Sequence, residues 1–214
     1  MKTTIKVNYE YTDDALLAKD ILTNLPSTFA ADFEVANKYT KEEKEEFAHI
    51  LETSTDKLER IEAQAKLNSN PLGHPFHNEI THLSVAWSPS DAYVFIVNNR
   101  SMLNVILNFL VTTKSKQIWH NLSYDGRYIK YYTGKFPINY EDTQILAKTL
   151  VNHVEVHKAN TGLKQLAGHK YGAWGISSDN FTKEQMFEEK MLKYAATDAC
   201  ATYWLWQSIE ENLK

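Results

Sequence analysis

Two acids two residues apart, Asp32 and Glu34, interrupt the otherwise apolar run STFAADFEVA at residues 27–36. A run of this length and composition reads as a buried strand, and the two-residue period of a strand puts both side chains on one face. Two carboxylates side by side in such a place repel each other and lose their hydration. A divalent cation relieves both penalties, and an all-oxygen ligand set suits magnesium or manganese rather than zinc. A second element is Asn121 and Asp125, in IWHNLSYDGRYI. A strand ends near His120 and a helix begins near Ser123. Asp125 therefore falls in the first helical turn beyond a strand end, where open α/β sheets gather their ligand sites. A third is Tyr194 and Asp198, in KYAATDACATYWLW. A spacing of four places both on one helix face, roughly 6 Å apart. Taken singly, each element has an ordinary alternative: a pair at a solvated strand edge, an acid complementing a helix dipole, and an exposed Tyr–Asp pair. Tyr9 and Asp13 share the last spacing.

These residues need elements to hold them. The opening TIKVNYEYT alternates like a short strand, and DDALLAKDILTNL reads as a helix ended by Pro26. Residues 41–67 are highly charged, with Phe47, Ile50, Leu58, Ile61 and Ala65 at helical spacing, which predicts one or two amphipathic helices. EITHLSVAW and AYVFIVNN form a hairpin across SPSD, and SMLNVILNFLVTT is a helix with Ser101 as its N-cap. KQIWHN is a strand, LSYDGRYIKYYTG a helix closed by Gly134, INYEDT a strand and TQILAKTLV a helix. GLKQLAGHKYG holds a short helix, and a last helix or helix pair runs from about Thr182 to the end. Strands alternating with helices predict an α/β layer fold with a mixed sheet.

The ordered set D-x-E, N-x3-D and Y-x3-D resembles the DEDDy 3′–5′ exonucleases, which include the proofreading domains of family A DNA polymerases and the RNase D group. EDTQILAKTL, with Asp142 and Thr143, is similar to the "DTQ" segment those proteins carry, and GLKQLAGHKYG to their "L-x-x-L-A" segment. The resemblance covers about residues 28–208. Phe33 stands where the family often has Thr, and the connection over residues 37–79 is longer than in the polymerase domains; it leaves the end of the acidic strand and is placed to roof the site or to embellish the surface.

The resemblance implies an RNase H-like fold, a five-stranded mixed sheet flanked by helices. Residues 1–27 then form an N-terminal strand and helix extension, and 28–214 the exonuclease domain, with 37–79 as a partly helical insertion. It implies two Mg2+ or Mn2+ ions: Asp32, Glu34 and Asp198 hold one, and Asp32 bridges to the second, whose waters Asp125 holds. Tyr194 orients the attacking water, Glu34 shares that role, and Asn121 contacts the terminal nucleotides. Tyr124, Tyr171 and Trp174 are candidate base-stacking residues, with Trp119 assigned to the core. Arg127, Lys130 and Lys170 are candidate phosphate ligands or a solvated face. The implied reaction is hydrolysis at the 3′ end of single-stranded DNA, most simply polymerase proofreading with a polymerase domain or subunit as partner. An RNase D-like RNA exonuclease and a non-catalytic domain that binds nucleic acid or a polymerase are the alternatives.

Composition bounds these readings. The chain has 214 residues, 43% hydrophobic and 23% charged, which fits one sizeable domain. With a formal net charge of −4, nucleic acid must be met by a local groove rather than by the field of the whole molecule. The N-terminus lacks the apolar core of a signal peptide, no apolar run matches a membrane span, and Cys200 is the one cysteine. These point to a cytoplasmic protein, and the resemblance to proofreading domains makes a bacterial or phage-infected cell the expected setting. The pairs His74/His77 and His153/His157 have zinc-like spacing, but nothing nearby completes a tetrahedral set.

Overall fold

A computed structural model describes residues 4–39, 41–67, 75–76, 78–150, 161–172, 174 and 185–212. The acidic strand is β2 (Thr28–Asn37). Its alternation sorts the neighbours of Asp32 to two faces: Phe29, Ala31 and Phe33 join one apolar core, and Ala30 joins another. Antiparallel to β2 runs β3 (Asn78–Ala86), which pairs in turn with β4 (Asp91–Ile96). Ser88 and Ser90 tie the turn between β3 and β4 by donating hydroxyl hydrogens to Asp91. On the other side of β2 lie β5 (Lys116–Trp119) and then β6 (Tyr140–Asp142), all parallel.

The sheet has six strands among the described residues, not five. The additional one is β1 (Asn8–Thr12), which runs parallel to β4 with Asn8 opposite Asp91. The N-terminal segment thus covers the sheet edge that β4 would otherwise leave open. The strand order is β1-β4-β3-β2-β5-β6, an α/β fold with a mixed sheet as expected.

Helices flank both faces. On one side α1 (Ala15–Thr23), α4 (Arg100–Thr112) and α5 (Leu122–Thr133) close the core that holds Phe29, Phe33, Leu83, Phe95 and Trp119. The N-cap of α4 is Asn99, whose side chain accepts from the Met102 amide; the expected cap, Ser101, lies inside the helix. Gly134 closes α5 in the left-handed region, as its position suggested. On the other side lies α8 (Glu189–Asn212), preceded by a 3-10 turn at Gln185–Phe187. It packs on β2, β3 and β4, with α7 (Leu163–Tyr171) and α6 (Thr143–Leu150) beside it. The contact layer is made of small side chains: Ala195, Ala196, Ala199, Cys200 and Ala201 on α8 face Ala30, Ala86 and Ala92 of the sheet. Small residues on both sides let the helix backbone approach the sheet closely. The long connection after β2 forms two helices, α2 (Lys41–Thr53) and α3 (Lys57–Leu67), which pack on each other. Among the described residues no helix is long and apolar enough to cross a membrane.

One buried acid holds the strand-to-helix junction that carries Asp125. Asp142 accepts from the amides of Asn121 (3.0 Å), Leu122 (2.9 Å) and Gln144 (2.9 Å). It therefore satisfies orphan amides at the start of both α5 and α6. Asn121 itself sits in the left-handed region at φ 65°, a conformation that asparagine tolerates better than most residues. We expect Asp142→Ala to lower the unfolding free energy by about 2–4 kcal/mol, the loss of two caps with buried amides left unpaired. Urea unfolding followed by circular dichroism checks this; a change under half a kcal/mol would show that the junction holds without its carboxylate.

Candidate active site

The close seat of α8 brings two chain segments, β2 and α8, to one point. Carboxylate oxygens of Asp32, Glu34 and Asp198 lie within 4.8 Å of one another. Asp125 joins them from the opposite layer: its Oδ1 accepts from the Phe33 amide, between the two strand acids, at 3.3 Å. Glu34, Asp125 and Asp198 are 7%, 3% and 8% exposed, so little water screens them. Burial raises the pKa of all four acids. For Asp32 the charges of Glu34, Asp125 and Asp198 add to that effect. Asp125 is pushed up to about 7, burial outweighing the amide bonds that favour its charged form. Directly across from Glu34 on β3 stands His82, fully buried and brought down to about 4 by burial, so it stays neutral and offsets none of this charge. A dense set of buried oxygens with net negative charge fits a hard divalent cation such as Mg2+ or Mn2+.

A shell of donors orients the acids. Trp174 donates from Nε1 to Asp198 Oδ1. Tyr194, one helical turn before Asp198, hydrogen-bonds to it, and burial followed by the charges of Asp198, Glu34 and Asp32 raises its phenol pKa. Lys164 of α7 donates from Nζ to the Tyr194 hydroxyl. This lysine lies inside the GLKQLAGHKYG segment, but nothing in its spacing marked it as part of the site.

Residues 74–214 match a family model described as 3′–5′ exonuclease. The chain belongs to that family. The matched stretch includes Asn121, Asp125, Tyr194 and Asp198, whereas Asp32 and Glu34 precede it. For this exonuclease domain, then, the fold rather than the family match joins the strand acids to the others. No curated protein matches the chain by sequence. Solved structures share the fold at low identity. NrnC of Brucella melitensis superposes with a TM-score of 0.58 at 16% identity, covering 99% of this chain and 82% of NrnC. The catalytic core of RRP6 from Trypanosoma brucei gives 0.62 at 11% identity, covering 99% of this chain and 50% of that one. RNase D of Trypanosoma brucei gives 0.60 at 14% identity, covering 94% and 64%.

The exonuclease fold sorts the remaining candidates. Tyr171, a candidate stacking residue, lies in the core: it is 9% exposed, packs with Trp174 and Trp204, and its hydroxyl donates to the carbonyls of Pro89 and Cys200. Trp174 lies at the site, bonded to an acid. Tyr124 is half-buried with the Arg127 guanidinium 5.2 Å from its ring centroid. The Asn121 side chain accepts from the Ser123 hydroxyl at 2.6 Å. Lys170 lies over Trp204, 5.7 Å from its ring centroid, and Lys130 is exposed near the end of α5. Trp119 and Cys200 are core residues, fully buried. An aromatic that the sequence pattern passed over is Phe187, 38% exposed and in contact with the His82 ring at 5.8 Å. His74, His77, His153 and His157 lie outside the described residues.

The raised acids predict a pH-dependent stability without metal. Asp125 titrates near its ordinary 3.8 when unfolded and near 7 when folded, so the folded state holds the extra proton between these values. That contribution is fully present below about pH 4 and is lost as pH rises through 7. In EDTA, stability should therefore fall from pH 5.5 to pH 8 by about 2 kcal/mol, and Mg2+ should restore much of it at pH 8. Urea melts of wild type beside Asp125→Asn test this. Parallel pH profiles for the two proteins would remove the electrostatic account.

Proposed function

We propose that this domain hydrolyses the terminal phosphodiester at the 3′ end of a single-stranded nucleic acid, releasing one nucleotide at a time with two divalent cations, Mg2+ or Mn2+. The observation that supports it best is the convergence of Asp32, Glu34 and Asp198 within 4.8 Å, with Asp125 and Tyr194 against them. Asp32, Glu34, Asp125 and Asp198 hold the ions. When bound, such ions acidify a water and stabilise the attacking and leaving oxygens of an in-line displacement at phosphorus. The chain's own part is positioning. Tyr194 orients the attacking water and is too weak an acid to serve as a free base at neutral pH. Trp174 fixes the rotamer of Asp198, and Asn121 and Tyr124 flank the terminal nucleotide. As the oxygen of water joins phosphorus, the bond from phosphorus to the 3′ oxygen breaks. The water gives up a proton, and the departing 3′ oxygen takes one.

DNA is our first choice of substrate, because the ordered motifs look most like polymerase proofreading domains. A polymerase domain or subunit is then the natural partner, in a bacterial or phage-infected cytoplasm. Residues 1–27 and the 37–79 insertion are appendages of the exonuclease unit in this reading. RNA is the second reading, favoured by the structural neighbours: NrnC was solved with bound Mg2+ and bound to pGG, and RNase D with GMP.

A single-stranded DNA and a matched RNA, each labelled at the 5′ end, decide between them. With Mg2+ or Mn2+ we expect a ladder of shortened labelled products. EDTA should abolish it, and Asp32→Ala or Asp198→Ala should slow it by roughly 10³-fold, about 4 kcal/mol of barrier. Faster loss of the RNA would move the second reading to the front. No shortening of either strand by the folded, metal-loaded protein would leave only a binding role.

A further inference from the structure

Lys164 occupies the first turn of α7, two residues after the cap Gly162. A cation there meets the positive end of the helix dipole, so the helix itself does not favour it. The residue is exposed as a whole, yet its ammonium reaches a part-buried position at the site. The ammonium donates to the Tyr194 hydroxyl and lies 4.3 Å from the centroid of that ring. Tyr194 passes the contact on by hydrogen-bonding to Asp198. The result is a chain from ammonium to phenol to carboxylate, met from the other side by the Trp174 indole. The same ammonium favours the charged forms of Asp32, Glu34 and Asp198. None of the acid motifs requires a cation at this place.

We propose that Lys164 is the resident cation of the acid cluster: clipped to Tyr194, it offsets the carboxylates before metal arrives and competes with divalent ions for their field, thereby setting the metal concentration at which the site loads. This rests on the nuclease reading of the site. The chemistry of lysine suits the role. Its charge is a compact point on a flexible four-carbon stem, so it can yield to an ion without any backbone change. Each divalent ion that enters adds positive charge beside the ammonium, and their repulsion weakens metal binding. Removing the ammonium should therefore loosen the metal-free protein and tighten its hold on metal, whereas loss of an ordinary structural or substrate contact would not tighten metal binding.

The test is a calorimetric titration of Mn2+ into the wild-type protein, Lys164→Met, Lys164→Gln and Lys164→Arg at physiological salt and without nucleic acid, with melting temperatures in EDTA beside it. The Met and Gln proteins keep part of the stem and lose the charge. We expect both to melt below wild type in EDTA and to bind Mn2+ roughly tenfold more tightly. The Arg protein, which keeps the charge, should bind within about twofold of wild type. Wild-type or weaker affinity in the Met and Gln proteins would overturn the proposal and leave the nuclease reading standing. Tighter binding in the Arg protein as well would also overturn it, since packing rather than charge would then be responsible. No Mn2+ binding by the wild type would overturn the nuclease reading and this proposal together.

Discussion

Four clustered carboxylates that repel one another, Glu34, Asp125 and Asp198 buried and Asp32 half-buried, are the constraint around which this structure is arranged. Left alone, such a group would separate or take up protons, and the raised pKa values of all four acids express that tendency. What holds them together is the apolar packing on either side. Phe33, between the two strand acids, packs on Trp119 with ring centroids 5.7 Å apart, and its amide anchors Asp125. Alanines on β2, β3 and β4 meet alanines on α8. The free energy of burying these layers exceeds the repulsion it enforces, and the protein thereby carries a built demand for positive charge at one point.

The small-residue layer has a second consequence. A helix seated on a sheet through alanines presents its longer side chains at the margin of the contact, where Tyr194 and Asp198 reach the strand acids. Larger residues at Ala195 or Ala199 would lift the helix and open the cluster. The packing that gives the domain its second core is thus the device that sets the spacing of its acids, so stability and site geometry are properties of the same interface.

The relatives share the arrangement far more than the sequence. At 11–16% identity the superposed structures cover nearly all of this chain, so what persists is the fold. The sequence family match begins at residue 74, after the long α2–α3 segment. The strand acids contribute to the site because β2 is the central strand, parallel to β5 and antiparallel to β3, which carries them to the same end as Asp125.

Local pattern by itself determined much of this protein. The alternation of TFAADFEVAN fixed a strand with both acids on one face, the spacing of four fixed Tyr194 and Asp198 on one helix face, and Gly134 closed its helix where its freedom at positive φ is needed. These are short-range consequences of period and backbone sterics, so neighbouring residues suffice to read them. Tertiary structure decided the rest. That Tyr171 is buried while Trp174 bonds Asp198 depends on how two segments meet, although the two aromatics are only three residues apart, Tyr171 as the last residue of α7. That β1 joins the sheet depends on the open edge of β4, far along the chain. Lys164 was unreadable for the same reason: a lysine in a helical first turn carries no mark of the tyrosine thirty residues away to which its ammonium is drawn. Charge acts through space, and only the fold determines which charges are close.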